Sequence, residues 1–170
     1  MPAPGRRTPR GRPVRTTSEL TFREAQSLAG HTGQVWATAL TRRADGRLLL
    51  VSGGNDDTVR IWDADTGTTL HTLTGHTGTV FRAAWAQRPG GRLLLATASG
   101  DRTARIWDPD TGTTLHTLTG HLSSVNGVAW GRHPDGRLHL ATGSRDETAR
   151  IWDADTGTTL HTLTGHTGTV

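Results

Sequence analysis

The dipeptide Gly-His recurs at Gly30-His31, Gly75-His76, Gly120-His121 and Gly165-His166, and each step is 45 residues. Trp-Asp keeps the same interval at Trp62-Asp63, Trp107-Asp108 and Trp152-Asp153, and residues 151–170 repeat residues 61–80 without a change. A fixed period of this length signals one supersecondary unit used several times. Three full copies occupy residues 31–75, 76–120 and 121–165, and residues 166–170 begin a fourth.

Within one copy the pattern alternates short β-prone runs with turn residues. Val35–Leu40 reads as a strand, Ala44-Asp45-Gly46 as a turn and Arg47–Ser52 as a second strand. The second strand has aliphatics on both faces, which suggests burial between two layers. Gly53–Asp57 turns again, Thr58–Trp62 is a third strand, Asp63–Gly67 is an Asx-type turn, and Thr68–Leu73 is a polar fourth strand. Helical periodicity is absent. Hydrophobic residues make up only 32% of the chain and aromatics 5%. A unit this lean cannot cover both of its faces, so the copies are expected to stack.

The residue inventory excludes much chemistry. The chain has no Cys, and all 19 basic residues are Arg. Disulfides, thiolate nucleophiles, zinc ribbons, P-loop lysines, kinase lysines and Schiff-base lysines are therefore excluded from these residues. The net charge of +4 is concentrated at one end. Residues 1–17 carry Arg6, Arg7, Arg10, Arg12 and Arg15 with no acid, whereas the remainder has 14 Arg against 15 acids. With four prolines and almost nothing apolar, residues 1–19 read as a disordered basic tail. Arg6-Arg7 lacks the apolar stretch of an export signal, and no run approaches the length of a membrane span. A cytoplasmic protein with no membrane partner is expected. An Arg-rich arm attracts phosphate non-specifically, but a solvated leader is the simpler reading, and nucleic acid is not an expected partner.

The Gly-His, the Trp-Asp some 31 residues later and the 45-residue repeat together resemble the WD40 family of β-propellers. The resemblance covers residues 30–170 and implies an all-β fold: a partial propeller of about three four-stranded antiparallel blades. Residues 20–29 align in phase with Asp65–Thr74 and resemble a diverged fourth strand of an earlier blade. The repeat region is thus read as 20–170.

The resemblance also implies a hydrogen-bonded tetrad in each blade. Its members are His31, Ser52, Asp56 and Trp62; then His76, Thr97, Asp101 and Trp107; then His121, Thr142, Asp146 and Trp152. The chemistry is self-consistent, because indole only donates, carboxylate only accepts, and imidazole and hydroxyl do both. A hydroxyl, a His and an Asp in contact also imitate a hydrolase triad. Three copies, each tied to a Trp on a strand expected to be buried, favour a structural role, and no catalytic residue is assigned. His71, His116 and His161 lack partners at recognised metal spacings, and the Asp63–Gly67 turn lacks the third carboxylate and the bidentate Glu of a calcium loop. No metal and no cofactor are expected.

Partner contacts in the family often come from three places on the narrow top face. By that resemblance they are Gln34, Trp36 and Asn55; Thr79, Phe81 and Gly100; and Ser124, Asn126 and Arg145. These positions vary between copies while the tetrads do not, and Trp, Phe and Arg suit interface anchors. Trp85 and Trp130 match Leu40 and read as core. The implied function is a non-catalytic scaffold that binds a protein or peptide. The alternative is the C-terminal sensor or regulatory fragment of a larger signalling ATPase or kinase, with its catalytic part outside this chain. Three blades do not close a ring. A fragment of a longer parent chain is the favoured expectation, with self-association or a capping partner as the other routes.

Overall fold

A computed structural model describes residues 27–170. The tail 1–19 and residues 20–26 of the proposed leading strand lie outside the described residues; 27–30 carry no strand. Among the described residues every element is a β-strand. Blade 1 comprises β1 (Val35–Arg42), β2 (Leu48–Gly54), β3 (Val59–Asp63) and β4 (Thr69–Leu73). Blade 2 comprises β5 (Val80–Gln87), β6 (Leu93–Ser99), β7 (Ala104–Asp108) and β8 (Thr113–Leu118). Blade 3 comprises β9 (Val125–Arg132), β10 (Leu138–Ser144), β11 (Ala149–Asp153) and β12 (Thr159–Leu163). Each blade is a four-stranded antiparallel meander in sequence order. The three blades form an open partial propeller.

β1, β2 and β3 end one or two residues later than expected, whereas β4 ends at Leu73 as expected. Arg43 and Arg47 close the first hairpin through an N–H to carbonyl bond of 2.9 Å, and Gly46 takes the positive φ of 89° that this turn needs. The Asp of each Trp-Asp also builds a turn. Asp63 accepts the Asp65 and Thr66 amides at 3.0 and 2.9 Å; Asp153 repeats both bonds and Asp108 the first.

The core lies between the blades. Each blade has a leading face toward its predecessor and a trailing face toward its successor. Val51, Val59, Ile61 and Leu73 from the trailing face of blade 1 join Val80, Leu95 and Trp107 from the leading face of blade 2 in one buried cluster. Ala96, Ala104, Ile106 and Leu118 join Val125, Leu140 and Trp152 in the second. Burial of apolar surface at these seams, at roughly 25 cal/mol per Å², is what holds the stack together.

The polar contacts of the two seams also repeat. Trp85 Nε1–H donates to the Ala39 carbonyl at 3.1 Å, and Trp130 Nε1–H donates to Ala84 at 3.0 Å. Arg43 pairs with Asp110 at 2.9 Å, and Arg88 pairs with Asp155 at 2.7 Å. His71 and His116 pack against Gly112 and Gly157, whose positive φ and lack of a side chain make room for the rings. Leu40 matches Trp85 and Trp130 in sequence position but not in surroundings. It is 60% exposed, because the face it occupies has no preceding blade among the described residues. Its counterparts Trp85 and Trp130 are half-buried in seams.

Candidate functional site

One end of each blade gathers the Gly-His loop, the start of the first strand and the turn between the second and third strands. A hydrogen-bonded chain runs inward from this end. Asp56 accepts from His31 Nδ1–H at 2.9 Å; Ser52 Oγ donates to His31 Nε2 at 2.7 Å and accepts from Trp62 Nε1–H at 2.8 Å. The donor directions follow from the two ends, since the carboxylate only accepts and the indole only donates. In blade 2 the corresponding His76–Asp101, His76–Thr97 and Trp107–Thr97 distances are all 2.8 Å. In blade 3 they are 2.9, 2.8 and 2.9 Å.

Burial tends to raise the pKa of each tetrad carboxyl, but hydrogen bonds outweigh it. The Thr32 amide, His31 and Thr58 hold Asp56 down to about 2. His76 and Thr103 hold Asp101 well below the usual carboxylate range, and Thr148, the Leu122 amide and His121 do the same for Asp146. Ser52, Thr97 and Thr142 are 5%, 0% and 2% exposed. A hydroxyl that is engaged on both sides and sealed from solvent cannot reach a substrate.

Two further members of this network were not singled out from sequence. Thr58, Thr103 and Thr148 donate to the tetrad carboxylates at 2.9, 2.7 and 2.7 Å. Arg60, Arg105 and Arg150 lie over the Trp rings at 5.9, 5.7 and 5.9 Å from the centroids. Each guanidinium also donates to the carbonyl of the Gly before the tetrad His, at 2.8, 2.8 and 3.0 Å. The signal was available: both residue types are the same in all three copies.

The variable residues sit above this network. The pairing of β1 with β2 shifts between Val35 and Ala37, so Trp36 is the extra residue of a β-bulge. Phe81 and Asn126 occupy the same bulge in blades 2 and 3. A bulge breaks the alternation of the strand and re-aims its side chain. Trp36 is thereby 53% exposed, although a tetrad lies below it. The flanking positions are tied by backbone: Asn55, Gly100 and Arg145 amides donate to Gln34, Thr79 and Ser124 carbonyls at 2.9, 2.9 and 3.0 Å.

Blades 1 and 2 meet on this surface. Trp36 and Phe81 pack edge to face with centroids 6.5 Å apart, and Thr79 Oγ1–H donates to Asn55 Oδ1 at 3.0 Å. The Phe81 ring covers Gly100, where a side chain would meet it. Ser124, Asn126 and Arg145 form their own group on blade 3, with Arg145 exposed. Among the described residues there is no cluster of three or more His, Asp or Glu able to hold a metal. No helix there is long and apolar enough to cross a membrane.

Comparison with known proteins agrees with this architecture. No curated protein matches the chain. Among solved structures, the computationally designed Ika4 protein superposes with a TM-score of 0.71 and 28% identity, over 85% of this chain and 81% of Ika4. The computationally designed Ika8 protein gives the same TM-score, identity and coverage of this chain, which spans 41% of Ika8. The profile of the family described as WD domain, G-beta repeat matches three times, at residues 22–63, 67–108 and 112–153. Each match takes in the Trp-Asp of one copy and, in the second and third, the outer strand of the blade before it. WD40 repeats generally mediate protein interactions. With three tandem matches covering most of its length, the chain belongs to the WD40 repeat family.

Proposed function

We propose that the chain is a non-catalytic scaffold whose bulge-bearing end binds a protein or peptide. One observation carries the reading. The three equivalent bulge positions hold Trp36, Phe81 and Asn126, while the tetrads beneath them keep one pattern. A position needed for folding would keep its chemistry. These positions change theirs, and Trp36 is 53% exposed.

The ligand chemistry follows from the lining. Trp36 and Phe81 offer an apolar, aromatic patch across two blades, with Asn55 beside it. Arg145 offers an exposed cation on the third. An extended segment with an apolar anchor and a carboxylate farther along would satisfy both ends. The binding is assigned to the repeat region 20–170, and a variant lacking residues 1–19 is expected to retain it.

The test is selection from a displayed random-peptide library, followed by affinity measurement on variants. Peptides enriched on the wild type should bind Trp36→Ala and Arg145→Ala at least tenfold more weakly, with thermal stability unchanged. Equal binding to both variants would remove the top face from consideration.

A further inference from the structure

We infer that His133 and His139 form a two-histidine site for a divalent ion of the zinc type, at the turn that joins β9 to β10.

Here one blade departs from the other two. His133 is the counterpart of Arg43 and Arg88, and His139 is the counterpart of Leu49 and Leu94. Leu49 and Leu94 are 2% and 1% exposed, so this position is built to hold an aliphatic side chain. Blade 3 puts an imidazole there and replaces the neighbouring arginine by a second imidazole. A buried nitrogen without a partner destabilises a fold, and such atoms are rare. Among the described residues, Nε2 of His139 is one of them: it is sealed from solvent and makes no hydrogen bond.

The hairpin brings the two rings together. His139 pairs with Gly131 and Leu138 with Arg132, and the His133 amide donates to the Arg137 carbonyl at 2.9 Å. Side chains two apart on a strand share a face. His133 and His139 therefore lie diagonally across the hairpin on one side of it. Their ring centroids are 5.4 Å apart, with the planes at 37°. Zn–N bonds of about 2.0–2.1 Å at a tetrahedral angle hold two imidazole centroids about 5 Å apart. Spacing along the chain does not reveal this pair; strand pairing makes it.

The surroundings suit a cation. Asp135 Oδ1 accepts from His133 Nδ1–H at 2.9 Å. The Asp135 amide stands 3.5 Å from the same nitrogen, too far to compete. A carboxylate on Nδ1 leaves Nε2 with the free lone pair, and it is a common partner of a metal-bound histidine. Asp135 is itself held by the Arg137 amide at 3.0 Å and by Arg137 Nε–H at 2.8 Å. The Arg132 guanidinium is occupied by the Gly136 and Gln87 carbonyls. Both histidines line an open pocket of about 280 Å³ with Pro134, Ala141 and Ile151. No further His, Asp or Glu among the described residues makes a three-ligand cluster. Water fills the remaining positions, and binding is reversible. Imidazole nitrogens favour zinc, copper and nickel over calcium and magnesium.

The test is calorimetric titration of the full chain with zinc chloride at neutral pH. One ion per chain is expected. His139→Leu restores the residue type of the other two copies. It should remove binding while making the metal-free chain more resistant to heat, and that opposite sign separates loss of a ligand from loss of the fold. His133→Arg, which restores the other copied residue, should weaken binding at least tenfold. Zinc should raise the melting temperature of the wild type and leave that of His139→Leu unchanged. His161→Ala, at an exposed histidine outside the site, should bind as the wild type does. A wild type that takes up no zinc, or binding that survives in His139→Leu, would overturn the inference.

Discussion

The middle blade and the end blades share nearly the same strand sequences and sit in different surroundings. In β6 all seven residues from Leu93 to Ser99 are buried, because blades 1 and 3 cover both faces. In β10 burial alternates, with Leu138, Leu140, Thr142 and Ser144 buried and Ala141 exposed. In β2 the complementary face is open, and Leu48 and Leu50 are half-exposed. Burial here is conferred by the neighbouring blade. The difference teaches that an aliphatic pattern in a repeat specifies what the unit can be covered by, and position in the array decides whether it is covered.

The sharpest way to break this comparison is to truncate one residue in both environments. Leu95→Ala, at a fully buried site, is expected to cost about 2–5 kcal/mol. Leu50→Ala, its half-exposed counterpart, should cost about 1 kcal/mol or less. Chemical denaturation of the two variants side by side measures the gap, and equal losses would mean that position in the array does not matter.

The tetrads give a second, smaller contrast. Thr97→Val preserves shape but leaves the Trp107 indole N–H and His76 Nε2 without partners in a fully buried site. A loss of about 1–3 kcal/mol is expected. Ser52→Ala should cost less, since His31 is only partly buried and part of its network can rehydrate. Thermal unfolding of both variants checks the order.

Acid provides the finest comparison. The tetrad carboxyls are depressed in the folded chain, so their contribution is fully present above the unfolded value near 4. It is lost as pH falls through the folded values. Asp56, Asp101 and Asp146 are all held below the usual carboxylate range, Asp56 at about 2. Stability should therefore stay flat from neutral pH to about 4 and decline between about 4 and 2. NMR titration of the side-chain carboxyls checks this, and tetrad carboxyls that titrate near about 4 would overturn it.

Much of this architecture was readable from spacing. Strand and turn positions follow from the 45-residue period, and the tetrad residues from the resemblance of that pattern to WD40 repeats. What escaped sequence reading depends on pairing between distant strands. The bulge at Trp36, Phe81 and Asn126 is a register shift, and nothing in the residues VWA, VFR or VNG announces it. The seam bonds from Trp85 and Trp130 link residues 46 positions apart, in different copies. Leu40 matches Trp85 and Trp130 in the repeat, yet it is exposed because burial at that position comes from the preceding blade. Thr58 and Arg60 lay in the least variable stretch, and that same uniformity hid them beside the better-known Trp-Asp.

The bulge has a consequence for how such a molecule changes over generations. Its position is set by main-chain pairing, so residues 36, 81 and 126 occupy the same bulge although they are Trp, Phe and Asn. An aromatic, a second aromatic and an amide already share that geometry within one chain. Substitution at these three positions therefore leaves the strand pairing beneath them in place, and duplication of a unit adds one more such position without disturbing the fold.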